Sequence, residues 1–321
     1  MRALALLLAL CASFPALAQQ RPPGFPDRPV RVVYAAPPGG QGDLVTRFLA
    51  ERMTPRLGQP LLVDSRPGGS GVVALEYVLR QPADGHTIVY GAAAWVLSNP
   101  ALQPSMPFDI SRDFRAVVRF GIAPQCLFVR STLPVRTARE FFALAKTQPG
   151  RLTYASFGIG STSHLQMEML KHLTGTDILH VPFRGSAQGI QEVATGRVDA
   201  FLIDFAPSRP FMETGQVRCL AMTGSQRYPE FPEVPTLSEE GLPLELIGWH
   251  GFFVPAATPD AVVNYLAEEV MRITRSEEGS AGLQRLGLLA VAEGPAEAQR
   301  IHTHDLARWR DAVRISGARP E

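Results

Sequence analysis

Twice in this chain an apolar strand passes through a glycine-rich loop directly into a helix, as VVYAAPPGGQGDLVTR at residues 32–47 and as LTYASFGIGSTSHL at residues 152–165. Strand, loop and helix in that order lead into right-handed crossovers, so each unit predicts a parallel sheet of its own. Around the first loop, residues 30–36, 61–64 and 86–91 read as strands. Leu44, Val45, Phe48, Leu49 and Met53 share one face of a helix that stops at Leu57-Gly58, and SRPGGSG leads into a second helix over residues 72–80. Around the second loop, residues 152–156, 178–183 and 198–204 read as strands, and 164–173 and 186–195 as helices. Residues 120–130 and 216–223 are long enough to cross between the units, and further helices follow near 259–275, 280–286 and 295–313. The expected class is α/β, with one domain (28–124 and 224–321) interrupted by another (125–223).

Both loops present the start of a helix, where the first backbone N–H groups lack partners and face an anion. Neither loop carries the G-x-x-x-x-G-K-[ST] of a nucleotide phosphate site. The second comes near G-x-G-x-x-G with Gly158 and Gly160, but Ser163 stands at the third glycine and the strand ILHVPF does not end in an acid. Ser156, Ser161, Thr162 and Ser163 instead crowd this helix start with hydroxyl donors, a setting suited to a carboxylate. The expected binding residues are therefore Tyr34, Pro38, Gly39, Gly40, Gln41, Gly42 and Asp43 in the first loop, and Ser156, Phe157, Gly158, Gly160, Ser161, Thr162, Ser163 and His164 in the second. Plainer roles stand beside these. One hydroxyl is explained by a helix cap, as is Asp43, and His164 reads as a hydrogen-bonding residue of the helix terminus. Phe157 is either a ring stacked on the ligand or a core aromatic. Gly40 and Gly160 are expected to accept no side chain. Asp204, at the C-terminal end of its strand, either reads a hydroxyl, amino or protonated group of the ligand, or caps the turn FAPS or pairs with Arg209.

Composition excludes other classes. A formal charge of +1 with no basic cluster argues against nucleic acid. The seven histidines show no H-E-x-x-H spacing, and G-x-S-x-G is absent, so neither a metal site nor a serine-hydrolase elbow is expected, and no cofactor. MRALALLLALCASFPALAQQ has a basic start at Arg2, an apolar run over residues 3–12 and a small-x-small site at Ala16-Leu17-Ala18. It reads as an export signal over residues 1–18, cleaved near Ala18, followed by a flexible stretch at 19–27. Cys11 is preceded by Leu10, which does not fit a lipoprotein box. In an exported chain Cys126 and Cys219 either pair or sit unpaired as small apolar residues of separate strands.

An ordered series of motifs carries a resemblance: APPGGQGDLVTR, DSRPGGSG, ADGHTIVYG, FDISRDF, YASFGIGSTSHL, HVPFRGSAQGIQEVATGRVDAFLID, VRCLAMTGSQR, PEVPTLSEEGLP and GWHGFFVPAATP. From about Pro29 to its end the chain resembles the periplasmic solute receptors of tripartite tricarboxylate transporters, the Bug family. The resemblance implies a two-domain clamshell of the periplasmic-binding-protein type (type II), with two parallel-rich sheets joined by two crossing segments. It implies that the two loops hold a ligand carboxylate from opposite sides, partly through water, with Arg184 and the acid Asp204 at the cleft. It further implies a monomeric, non-enzymatic periplasmic protein that serves integral-membrane transporter subunits. Phe157 and Gln188 depart from the smaller residues common in the family, which leaves the ligand defined only as a class of small organic acid. A sensing subunit with the same ligand, or an exported enzyme on the same scaffold, are the alternatives.

Overall fold

A computed structural model describes residues 21–103, 106–183 and 185–319. The leader expected at 1–18 lies outside these residues. Strands β1 (Val30–Tyr34), β2 (Leu61–Ser65) and β3 (Thr87–Ala92) pair in parallel with β1 in the middle. β4 (Phe114–Ala123) belongs to the same sheet, but one residue later, past Pro124, β5 (Gln125–Arg130) belongs to another. There β6 (Thr153–Ser156) is flanked in parallel by β7 (Leu179–Pro182) and β8 (Ala200–Asp204), while β5 lies antiparallel between β8 and β9 (Val217–Met222). The chain then returns as β10 (Gly248–Pro255), antiparallel between β3 and β4, and ends the sheet with β11 (Leu289–Glu293). The orders are β11-β4-β10-β3-β1-β2 and β7-β6-β8-β5-β9. Each sheet thus contains a parallel three-strand unit with its first strand in the centre, and the strands on either side of the two crossings, β4 and β5, β9 and β10, pair antiparallel.

The periodicity that predicts the helices also explains their packing. In the helix Gln41–Leu57, Val45, Leu49, Met53 and Leu57 recur every four residues and are fully buried. Gly58 ends the helix with φ 69°, where its N–H returns to the Thr54 carbonyl. Leu44, expected on that apolar face, is 46% exposed. Residues 223–247 stay against the second sheet: Met222 N–H bonds the Pro235 carbonyl, Leu237 N–H returns to Met222, and the Gln166 amide holds the Leu246 carbonyl.

One apolar core runs through both sheets. It joins Val33 and Val89 of the first to Leu127 and Tyr154 of the second through Leu246, Trp249, Leu306 and Trp309. The helix Pro295–Ser316 packs on both β4 and the helix Thr162–Thr174. Trp309 is completely buried on it, and the neighbouring Asp305 accepts from the Trp249 indole at 2.9 Å.

Two expectations resolve here. The stretch before the first strand is not a loose tail from Arg21 onward. Phe25 is 5% exposed and packs edge-on to His86 and Tyr265, while Arg21 bonds the carbonyls of Phe25 and Pro26. The apolar ring outweighs the proline-rich composition around it. Cys126 and Cys219 are joined in a disulfide, because β5 and β9 are neighbours and bring the two α-carbons to 5.8 Å.

That bond closes a segment with a sequence separation of 93. Replacing both cysteines with alanine should lower unfolding stability by roughly 2–5 kcal/mol. Urea unfolding of the oxidised parent and the double variant checks this. Coincident midpoints would show that the strands hold β5 to β9 without the bond.

Candidate functional site

The ends of both parallel units meet at a cavity of about 130 Å³. Gln41 and Thr162 are the first residues of the two loop-borne helices, and both line it. Asp204 contributes from the C-terminal end of β8, with Gln125 directly opposite it at the start of β5. His250 on β10 faces Ala92 of β3, Phe157 adds an aromatic wall, and Ala93, Ala94 and Ala123 leave space.

Most of the first loop turns inward upon itself. Asp43 is 3% exposed, and its Oδ2 accepts from Gly39 N–H and from Arg47 Nε, each at 3.0 Å. The Arg47 bond, with help from Gly39 N–H and against the effect of burial, holds this carboxyl below the usual range. Asp43 therefore braces the loop from the third helical position while Gly40 occupies the cap. Tyr34 lies beneath: a Cβ at Gly42 would stand 2.5 Å from its ring, and one at Gly40 3.0 Å from its hydroxyl. Burial, then the Asp43 charge, keep that phenol protonated, while the N–H groups of Gly42 and Asp43 act on it in the opposite sense. Pro38 and Gly39 form the exposed tip, and Gln41 alone of this set reaches the cavity wall, its amide anchored to the Leu286 carbonyl at 2.8 Å.

The second loop is likewise held by its own side chains. Ser161 caps the helix, accepting from His164 N–H at 3.4 Å and donating to the Gly158 carbonyl at 2.6 Å. Ser156 Oγ accepts from Gly158 N–H at 3.0 Å, and Ser163 Oγ from Phe157 N–H at 3.3 Å. Of the four hydroxyls, Thr162 is the one at the cavity. His164 Nδ1 accepts from Gly160 N–H at 3.1 Å, so His164 serves the loop backbone. Gly160 has φ 73°, a Cβ there would meet Leu102 at 2.3 Å, and its carbonyl accepts from Ser98 at 2.6 Å. Its lack of a side chain serves the contact between the two halves. Phe157 both lines the cavity and packs on Phe201, with ring centres 5.5 Å apart. Arg184 lies outside the described residues.

Ser156 and His180 form a close pair, Oγ to Nε2 at 2.6 Å. Burial, then the ring of His164 stacked 4.2 Å away, push His180 down to about 4, and Ser156 is wholly buried away from the cavity lining. This arrangement shapes the loop and offers the cavity no nucleophile. Among the described residues no group of His, Cys, Asp and Glu is arranged to hold a metal.

The walls contributed by strands have a different character. Burial raises the Asp204 carboxyl to about 6, partly offset by the Gln125 side chain. Neither competing role for Asp204 occurs: Arg209 pairs with Glu230 at 2.7 Å, and Asp204 precedes the helix Phe205–Glu213 without its side chain capping it. Burial pushes His250 down to about 4, and its Nδ1 lies 2.8 Å from the Tyr90 hydroxyl. Burial holds that phenol protonated, and in the tautomer whose Nδ1 accepts from it the imidazole proton sits on Nε2. No lysine or arginine is among the described residues lining the cavity. Sequence reasoning missed Gln125 and His250. The signals were there, in the residue after Pro124 and in GWHG, but only sheet register turns them toward one point.

Residues 45–317 match the tripartite tricarboxylate transporter family receptor. This chain belongs to that family. A UPF0065 protein of a Pseudomonas species is 32% identical over 308 residues, covering 95% of this receptor and 91% of that protein. An R. palustris protein solved with adipate shares 32% identity at a TM-score of 0.79, covering 92% of this chain and all of the other. MatC of Rhodopseudomonas palustris, solved with malate, shares 30% at a TM-score of 0.74, over 90% of this chain and all of the other. The mixed two-sheet architecture of these binding proteins is the one described above.

The Asp204 carboxyl has a direct consequence for stability. The unfolded chain releases this proton near about 3.9, whereas the folded receptor keeps it to about 6. Its contribution is complete at low pH and is lost as pH rises through the folded value. Asp204→Asn should therefore melt above the parent at neutral pH, with the difference shrinking as pH is lowered toward about 4. His180 and His250 are present in both proteins and cancel. Parallel melting curves at every pH would contradict a desolvated Asp204.

Proposed function

We propose that this receptor works outside the cytoplasm, capturing a small organic carboxylate between its two sheets and presenting it to the membrane subunits of a tripartite tricarboxylate-type transporter. The observation that carries this reading is the cavity where the starts of two helices and the ends of strands from both sheets converge, with Thr162 and His250 as uncharged hydrogen-bonding groups on its wall and without a metal set among the described residues. Thr162 and the Nε2–H of His250 supply hydrogen bonds to an anion in a setting of low polarity, where such bonds are strongest. The adipate and malate found in similar proteins are acids of the expected class. Export is supported by the leader sequence, and among the described residues no helix is long and apolar enough to cross a membrane. The role is capture without chemistry, since the nearest serine–histidine pair is turned away from the ligand space. Opening and closing would bend the chain at Pro124 and before Gly248, and the Ser98–Gly160 bond would fasten the closed form.

A thermal-shift screen against a carboxylate library tests the reading. A true ligand at about 100 times its Kd stabilises by about 2.7 kcal/mol, and neutral sugars should leave the transition in place. A screen in which no carboxylate shifts the melt would remove the proposal. With a ligand in hand, Thr162→Val should weaken binding by about tenfold, the value of a hydrogen bond to a charged group. Unchanged affinity in calorimetry would take Thr162 out of the site.

A further inference from the structure

Asp204 and Gln125 stand side by side at the cavity wall, paired across β8 and β5. Gln125 is 4% exposed, and its Oε1 has no hydrogen-bond partner. Its backbone is fixed by reciprocal bonds with Thr223, N–H to Oγ1 at 3.0 Å and Thr223 N–H to the Gln125 carbonyl at 2.8 Å. The residue is therefore held at this wall, and its side chain has an acceptor to spare. A buried acceptor left unpaired costs about 1–3 kcal/mol. A carboxylate kept from water costs more unless it gains a counter-charge. Asp204 has none among the described cavity residues, which include no lysine or arginine, and Arg209 on the helix that follows is paired with Glu230.

One kind of ligand group removes both deficits. A hydroxyl brings a single donor and no charge, and a second carboxylate would repel Asp204. An ammonium brings three donors and a positive charge. We propose, resting on the carboxylate-capture reading above, that the ligand is an amino-carboxylate whose ammonium group is held by Asp204 and Gln125 Oε1 while its carboxylate meets Thr162 and His250. Phe157, next to the same cavity, adds an aromatic wall compatible with a cation.

The test compares matched acids by calorimetry: propionate, lactate and alanine; succinate, malate and aspartate; glutarate, 2-hydroxyglutarate and glutamate. In the series that fits the cavity, the amino acid should bind about tenfold or more tightly than its hydroxy and unsubstituted partners. Asp204→Asn, which is expected to be the more stable protein at neutral pH, should erase that preference, because the amino acid loses its counter-charge while the unsubstituted acid no longer meets a negative one. Gln125→Met should reduce the preference in the same direction. If an unsubstituted or hydroxy acid binds as tightly as the amino acid, or if Asp204→Asn leaves their ratio unchanged, the ammonium assignment is overturned and carboxylate capture stands. If no acid of any series binds, the capture reading falls and this inference falls with it.

Discussion

The cavity depends on one residue that has no backbone N–H. Pro124 separates β4 from β5, so a single extended segment serves two sheets and cannot continue as one ladder. Its neighbours Ala123 and Gln125 consequently end in different sheets while facing the same space. The return strand β10 enters beside β4 and puts His250 next to Ala92. With both crossings placed there, the carboxyl ends of the parallel strands have to confront each other, which is where open α/β sheets leave room for a ligand. The shared core around Trp249, Leu306 and Trp309 makes that confrontation stable.

Within this frame the same force acts on acid and base. Burial raises Asp204 and lowers His250, so each is driven toward its neutral form. The two do not end alike at neutral pH: His250 is an uncharged donor, whereas Asp204, at about 6, retains a strained negative charge. A cavity with dipoles on one wall and an anion on another is polarised, and it selects ligands by the distribution of charge within them rather than by net charge. Phe157 leaves one face apolar and limits the number of polar groups a ligand must satisfy.

The parallel units were legible because they rest on local rules. Apolar spacing located β1 and the helix behind it, and glycine at position 58 marked the stop. Gln125 and His250 were not legible, since their direction depends on which strands become neighbours. The serine-rich helix start misled in number: Ser156, Ser161 and Ser163 look like ligand donors in sequence, but a loop with Gly158 and Gly160 must satisfy its own exposed backbone before it can serve a ligand. Phe25 defied composition for a similar reason. One ring buried against His86 and Tyr265 outweighs the disorder suggested by the residues around it. The cysteine pair could be decided only by adjacency of β5 and β9.

The repeated topology, β2-β1-β3 in one sheet and β7-β6-β8 in the other, places the two loops at corresponding positions but builds them differently. Asp43 and Tyr34 lock the first; His164, Ser156 and Ser163 lock the second. Both are held by hydrogen bonds of their own, so little ordering entropy opposes binding there. In the carboxylate-capture reading, loops held in this way offer the ligand a fixed anchor at Thr162 and little discrimination beyond it. In that reading discrimination falls to the side chains that the loops do not employ, Gln125 and Asp204 at the strand ends together with Phe157. A receptor of this plan can keep its loops and change ligand by altering those few positions, because substitutions there leave the hydrogen bonds that shape the loops intact.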